Sequence, residues 1–442
     1  MEAISPDKVP EEIRPKKRIR IRFRCRQAMP ADNSVNVPEE IIHDILLLLP
    51  IKSLLKCTAV CKSWRSLIQS SAFMHTHLSR AIIQSNNQND DARLLLLQFA
   101  NREERKRSYS LHWDRCPSFS EYSKLTDPFV AYNEISGRQE DNNQTTKMGN
   151  RNCKVNVLGT CNGLVCLQEG DIATLIWNPS IRKFVVLPPP GVTFMGSTSH
   201  AFGYDPRTND YKVFRSVGYY YKPCRLSRAV EIFSLARGSW KRLRNAVVPA
   251  NFSPGNSTSY DKPDALVNGA LHWIQREGDN KFIVSFDLST ELFGKILMPK
   301  SALRRRTERW TREAPWVKNV CFASRYGDCL AFFEKHQNTK LPGDVHLYLW
   351  VMKDYGVAES WSKLFTISTQ QHVLRPLSFR KSGQVVLAYS SDDKCYELVD
   401  PNSKQCDDFR IDGYCPRTSL YCFMDYFVES IVLLDRPDAI SY

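Results

Sequence analysis

The chain has 442 residues, of which 42% are apolar and 24% charged, and a formal net charge of +14. That length exceeds one small core and predicts two domains, with the composition of an ordinary soluble protein. No window reaches the ~18 apolar residues a membrane helix needs, and the acidic, polar start MEAISPDKVPEE is neither a secretory signal nor a transit peptide.

Much of the positive charge is local. Lys16, Lys17, Arg18, Arg20, Arg22, Arg24 and Arg26 crowd the arm PKKRIRIRFRCR. The remaining excess is spread thinly, without basic residues interleaved with stacking aromatics, so a nucleic-acid partner is not expected. The arm matches the short basic segments read as nuclear localisation signals, with Lys16, Lys17, Arg18 and Arg20 as its centre. A solvated tail is the alternative. Residues 1–34 have no apolar periodicity and are expected to be disordered. The expected location is nucleus and cytoplasm.

The stretch VPEEIIHDILLLLPIKSLLKCTAVCKSWRSLIQSSAF, Val37 to Phe73, is the densest apolar segment. Asn36 suits an N-cap, Glu39 follows as in a capping box, and Pro38 fits a first turn. Ile41, Ile42, Ile45, Leu46 and Leu49 fall at helical spacing. Pro50 stops that helix, since it has no N–H to donate. A second short helix is expected over Ser53–Ala59 and a third through Val60, Trp64, Leu67 and Ile68. One more short helix leads out to about residue 83. Three short helices cannot hide all this apolar surface on themselves. Leu49, Pro50, Leu54, Val60 and Trp64 need cover, from a partner or from the rest of the chain.

A polar linker, 84–92, follows, and the texture turns to β. RLLLLQFA (93–100) and SYSLHWD (108–114) read as a hairpin around a charged turn. From Cys153 the chain repeats weakly. Glycine-containing turns lead into apolar strands: NGLVCL, NGALHWI, GDCLAFF and SGQVVLAY. Strands then run through Asx turns into return strands, as in LIWNPSIRKFVVLP, SFDLSTELFGKILMP and LVDPNSKQCDDFRI. Trp177, Phe233, Phe286, Trp350 and Val399 mark equivalent strands 49 to 64 residues apart, near the roughly 40–50-residue period of a four-stranded propeller blade. SLYCFMDYFVESIVLL (419–434) has no blade of its own. Pairing it with the 93–114 hairpin closes a ring of about six blades. The fold class is α+β: a small helical module, 36–83, then an all-β propeller over 93–435.

Chemistry is not evident. The fourteen cysteines contain no C-x-x-C and have no histidines at ligand spacing, so neither metal nor cofactor is expected. SLARGSW (234–240) resembles a sialidase turn, but Ala236 stands where the aspartate would be. No phosphate-cradling, zinc-protease or serine-nucleophile motif occurs. His272 and His346 lie in β runs and read as structural.

Two family resemblances sharpen this reading. V-P-E-E-I-I-x-D-I-L-x-x-L-P-I-K-S-L-L followed by V-C-K-S-W-R-S-L-I resembles the F-box, with Val37 for the usual leucine and Thr58-Ala59 for larger residues. CNGLVCL, WNPSIRKFVVLP, AFGYDPRTNDYKVFRSV and LVNGALHWI resemble the F-box-associated, kelch-like domain of plant proteins, although no Gly-Gly pair occurs. The first resemblance implies docking on a Skp-type adaptor through Pro38, Ile41, Ile45, Leu49, Pro50, Leu54, Val60, Cys61 and Trp64. Through that adaptor it implies cullin and ring-finger subunits, and a role as non-catalytic substrate receptor of an SCF ubiquitin ligase. The alternatives are a scaffold outside a ligase and a propeller enzyme. For the target protein, the loop 218–228 offers Tyr219, Tyr220, Tyr221 and Arg225, residue types enriched in binding hot spots.

Overall fold

Each turn signal read above separates two antiparallel strands, and the strands gather into six sheets. The computed structural model describes residues 37–442, apart from 87–92, 102–105, 115–118, 139–154, 171, 193–197, 222–224, 245–247, 250–264, 278–279, 300–319, 338–344, 370–372, 390–395 and 410–422. The basic arm and Asn36 therefore lie outside the described residues. The chain divides into two compact units, Met1–Ile45 and Leu46–Tyr442.

The first blade holds β4 (Val155–Cys161), β5 (Leu164–Glu169), β6 (Ala173–Asn178) and β7 (Lys183–Val186). The second holds β8 (Thr198–Asp205), β9 (Asp210–Tyr221), β10 (Arg225–Ser234) and β11 (Ser239–Arg242). Then come β12 (Ala265–Val267) to β15 (Leu292–Leu297), through β13 (Ala270–Glu277) and β14 (Asn280–Asp287). The fourth runs β16 (Val320–Tyr326), β17 (Cys329–Gln337), β18 (Val345–Met352) and β19 (Trp361–Thr369). The fifth runs β20 (Val373–Phe379), β21 (Val385–Tyr389), β22 (Tyr396–Val399) and β23 (Cys406–Phe409). Trp177, Phe233, Phe286, Trp350 and Val399 all lie on the third strand of their blade, as the period implied.

The sixth blade is assembled from both ends of the chain. Its order is β24 (Phe423–Phe427), β1 (Leu94–Asn101), β2 (Lys106–Trp113) and β3 (Glu121–Leu125). Leu94 pairs with Phe427 and with Trp113, which places the hairpin and the late strand in one register. The six-bladed ring is then complete: β4 adjoins β8, β8 adjoins β13, β12 adjoins β16, β16 adjoins β20, β20 adjoins β24, and β24 adjoins β4. A terminal strand, β25 (Ile440–Ser441), covers the outer edge of β7. Covering that edge removes a free row of backbone donors and acceptors.

The run Leu94–Leu97 shows why apolar residues are unbroken here. Leu94 and Leu96 pack with the first blade, against Val157, Leu167 and Trp177. Leu95 and Leu97 pack with the fifth, against Val386, Ala388 and Leu398. A strand sandwiched between two blades is buried on both faces, so alternation disappears. Among the elements that escaped the sequence reading is α5 (Pro128–Ile135), capped by Asp127, whose carboxylate accepts the Phe129 N–H at 3.0 Å. The Asp-Pro pair was its available signal.

Tight turns set the register. Asn162-Gly163 and Asn268-Gly269 all have positive φ, between 52° and 80°, as type I′ hairpins require. Asx turns follow at Asn178, Asp287 and Asp400, whose side chains accept backbone N–H groups two residues on at 2.8–3.0 Å. Gly163 has a second duty. A Cβ there would sit 2.3 Å from Ser430 Oγ and 2.5 Å from the Val428 carbonyl oxygen. Gly170 also has positive φ, but open space around it. Gly163→Ala is expected to cost roughly 2–4 kcal/mol, since the clash adds to ~1–3 kcal/mol of backbone strain. Gly170→Ala should cost about 1 kcal/mol. Urea melts of the two variants side by side check this. Equal losses would mean that the segment around Ser430 does not sit on this turn.

Candidate docking surfaces

The helical segment forms four helices: α1 (Glu39–Leu47), α2 (Ile51–Cys57), α3 (Lys62–Ile68) and α4 (Ser71–Asn86). Caps explain their bounds. The Pro38 carbonyl accepts the Ile41 and Ile42 N–H groups, so α1 starts at Glu39. Pro50 sits at φ −63°, ψ 152° and its carbonyl accepts the Ser53 and Leu54 N–H groups. It therefore starts α2 as well as following α1, two residues before the expected Ser53. Cys61 caps α3: its Sγ accepts the Trp64 N–H at 3.4 Å. Val60 consequently lies in a turn and not in the third helix. Ser70 Oγ takes the Phe73 N–H at 3.2 Å, which launches α4. That helix has 16 residues and runs past 83 to Asn86, into the expected linker. A serine before an apolar run was the readable signal.

The exposure of these helices separates the expected docking residues. Pro38, Ile41, Ile45, Pro50, Val60 and Cys61 are exposed, while Leu49 and Trp64 are half-buried. Leu48, not among the expected residues, is 65% exposed. Leu54 is a correction: it is fully buried. Because α2 begins at Ile51, Ile51 and Leu54 stand three apart on one inward face. Leu54 therefore holds the helices together and offers no surface. His77 is buried too, stacks on Phe73 and contacts the Leu49 carbonyl oxygen at 3.4 Å. Burial lowers its pKa, so it stays neutral at physiological pH. Gln69 Nε2 donates to the Leu434 carbonyl oxygen at 3.5 Å, a link from the third helix to the end of the β region.

On the propeller, Tyr219, Tyr220 and Tyr221 are not in a loop as expected. They end β9, and Arg225 opens β10 directly opposite Tyr221. Aromatic residues favour such pairing over a free loop. Between β7 and β8, the residues from Pro188 to Val192 are tied to the second blade. Arg215 Nη1 donates to Glu231 at 2.6 Å and to the Val192 carbonyl at 2.8 Å, and Glu231 accepts the Val192 N–H. Trp240 Nε1 donates to the Pro188 carbonyl oxygen at 2.8 Å. Trp240 in SLARGSW is thus a packing residue.

Buried charges lie between blades. Asp205 accepts Lys212 Nζ at 2.9 Å, the Thr208 hydroxyl at 2.6 Å and the Ser289 hydroxyl. Burial alone would raise its pKa; these donors outweigh it and hold the carboxyl well below the usual range. Arg107 bridges Asp127 and Glu169, both at 2.9 Å, joining the closing blade to the first. Asp114 takes Arg380 Nε at 2.8 Å, joining it to the fifth. These pairs fix blades in place.

Two family models match the chain. One, described as the F-box associated beta propeller domain, covers residues 121–428, and the other, F-box-like, covers 35–80. The chain belongs to the F-box proteins with an F-box-associated β-propeller. Among Arabidopsis thaliana proteins, F-box protein CPR1 is 27% identical over 425 residues, covering 91% of this chain and 90% of its own length. The F-box/kelch-repeat protein At3g23880 is 26% identical over 80% of this chain and 86% of its own.

An F-box implies, in general, a Skp-type adaptor as partner. Among the described residues no cluster of three or more His, Cys, Asp or Glu could hold a metal. His272 is buried, and its Nε2 lies 2.8 Å from the Tyr355 hydroxyl. Burial depresses its pKa to about 4, which keeps it a neutral packing residue. His346 lies 2.8 Å from the Ser368 hydroxyl and stacks on the Tyr348 ring.

Proposed function

We propose that this F-box protein is the substrate-recognition subunit of an SCF-type ubiquitin ligase. The helical segment docks the adaptor, and through it cullin and ring-finger subunits. The propeller recruits a protein for ubiquitination and degradation. The observation that carries this reading is Val60, an aliphatic side chain 63% exposed in the Val-Cys-Lys-Ser-Trp stretch matched by the F-box-like model. A partner that covers Val60 takes that apolar surface out of water, which favours the complex.

The receptor supplies no reacting group. It acts by holding a target lysine near a charged ubiquitin carrier, which raises effective concentration. The basic arm, Lys16 to Arg26, serves nuclear import in this reading, and the protein divides between nucleus and cytoplasm.

Co-purification tests the assignment. Full-length protein is expected to bring down adaptor, cullin and ring-finger subunits, and a chain lacking 36–83 to bring down none. Deletion should also raise the level of the recruited target. Adaptor recovered without cullin would replace the ligase with a scaffold role.

A further inference from the structure

The segment that follows β24 is bound from several sides. Residues 428–436 form no strand, yet Ser430, Ile431 and Leu433 are buried. From the first blade, Asn178 Nδ2 donates to the Ser430 and Val432 carbonyls at 2.9 and 2.7 Å, and Lys183 Nζ to the Leu434 carbonyl at 3.4 Å. From the sixth, the Tyr122 hydroxyl donates to Glu429 at 3.4 Å. Toward the second, Arg436 Nη1 donates to the Leu235 carbonyl at 2.8 Å. Leu433 has φ 76°. A bulky residue in the left-handed region is strained and persists where its surroundings over-determine it. The helices meet the same segment. α2, α3 and α4 lie in one compact unit with the propeller. Gln69, at the end of α3, donates from Nε2 to the Leu434 carbonyl at 3.5 Å, so one oxygen receives a helix and the first blade together. Burial raises the pKa of Glu429, and the nearby Lys52 of α2 lowers it.

We propose that residues 428–436 are a positioning strap that couples the helices to closure of the ring. Seated on the first blade, the strap presents the Leu434 carbonyl to Gln69 and the Glu429 carboxyl to Lys52. Unseated, it leaves α2 and α3 without either contact. The helices are then held against the propeller only in a chain whose late strand has closed the sixth blade. Gln69 is a positioning residue in this scheme, acting through Leu434. The strained turn at Leu433 and the two Asn178 bonds are what aim that carbonyl. The proposal rests on the receptor reading for its consequence, because a docked adaptor and a recruited target then keep one separation, on which effective concentration depends.

The test is single-molecule energy transfer on the full chain, with dyes carried by unnatural side chains at Thr76 in α4 and Asp328 in the fourth blade, both exposed. Wild type is expected to show one dominant, narrow distance population. Gln69→Ala should lower the ratio of fixed to mobile molecules about threefold to tenfold, the worth of one net hydrogen bond. Asn178→Ala should lower it by about tenfold or more, since it frees two strap carbonyls although Asn178 bonds to no helix. Asp400→Ala removes an Asx turn of the fifth blade and is the control for general loosening. It should leave the ratio as in wild type. Thermal melts confirm that each variant is folded. An unchanged ratio in either Gln69→Ala or Asn178→Ala would overturn the proposal, as would an equal fall in Asp400→Ala or a wild type without a fixed population. Adaptor titration on the same samples tests the receptor reading separately. A wild type that binds no adaptor would undo that reading, and the transfer ratio would still decide the strap.

Discussion

Replacing Ile45 and Val60 by Glu is expected to abolish adaptor binding while leaving the chain folded. Ile45 is 51% exposed and Val60 63%, so neither change disturbs an internal contact of any size. An interface anchor typically loses about 2 kcal/mol or more on truncation, and a buried unpaired carboxylate costs further. Two such sites should weaken the complex by more than ~100-fold at about 1.4 kcal/mol per tenfold, if their effects add. Leu54→Ala provides the contrast. Its side chain is fully buried, so truncation should cost the helices about 2–5 kcal/mol of stability. Its loss of adaptor binding should recover at high adaptor concentration, because a partner that binds only the folded form restores it by mass action. Calorimetry with purified adaptor, with thermal melts alongside, separates the two behaviours. Wild-type affinity in the folded double Glu variant would remove the physical basis of the docking assignment.

Removing residues 419–442 should prevent the propeller from closing. The deletion takes away β24 and β25 together with Met424, Phe427, Ile431 and Leu433, all buried. At ~1.5–3 kcal/mol for each buried aliphatic or aromatic side chain, the loss is of the same order as the ~5–15 kcal/mol stability of a whole domain. It also bares the edge of β1 at Leu94–Gln98, where β24 had paired. An apolar strand with an open edge aggregates. The truncated chain is expected in the insoluble fraction, and a synthetic 419–442 peptide added during refolding should restore soluble monomer. A milder probe is Asn178→Ala. Asn178 is fully buried and its Nδ2 donates to the Ser430 and Val432 carbonyls at 2.9 and 2.7 Å. Leaving those acceptors without a donor should cost about 1–3 kcal/mol each. Gel filtration and thermal melts give the readout. A soluble, monomeric truncation with a wild-type melt would mean that the ring closes without its late strand.

The amino-acid order alone determined the parts that depend on local chemistry. Apolar spacing from Ile41 onward and the prolines at 38 and 50 specify short helices, because helical period and the missing proline N–H act within a few residues. Asn-Gly and Asx turns specify hairpins for the same reason: Asn162-Gly163 and Asn178 need only their neighbours to bend the chain. The recurrence from Trp177 to Val399 then counts the blades, and the strand left without a blade at 419–434 implies closure.

What tertiary structure decided is which apolar residues remain outside. Leu54 and Val60 look alike in sequence, yet one is buried and the other exposed. The difference comes from where α2 starts and from the sulfur cap of Cys61, which leaves Val60 in a turn. Tyr219–Tyr221 reads as a loop because it sits beside Lys222 and Pro223, but strand pairing across to Arg225 carries it into the sheet. Arg228, Arg242 and Arg244 are unremarkable in the sequence and are separated by fourteen residues between the first pair, counted from 228 to 242. They meet because β11 turns back on β10 and then stops short. Long-range pairing brings them to one cavity beside β10 and β11, and no local rule announces it.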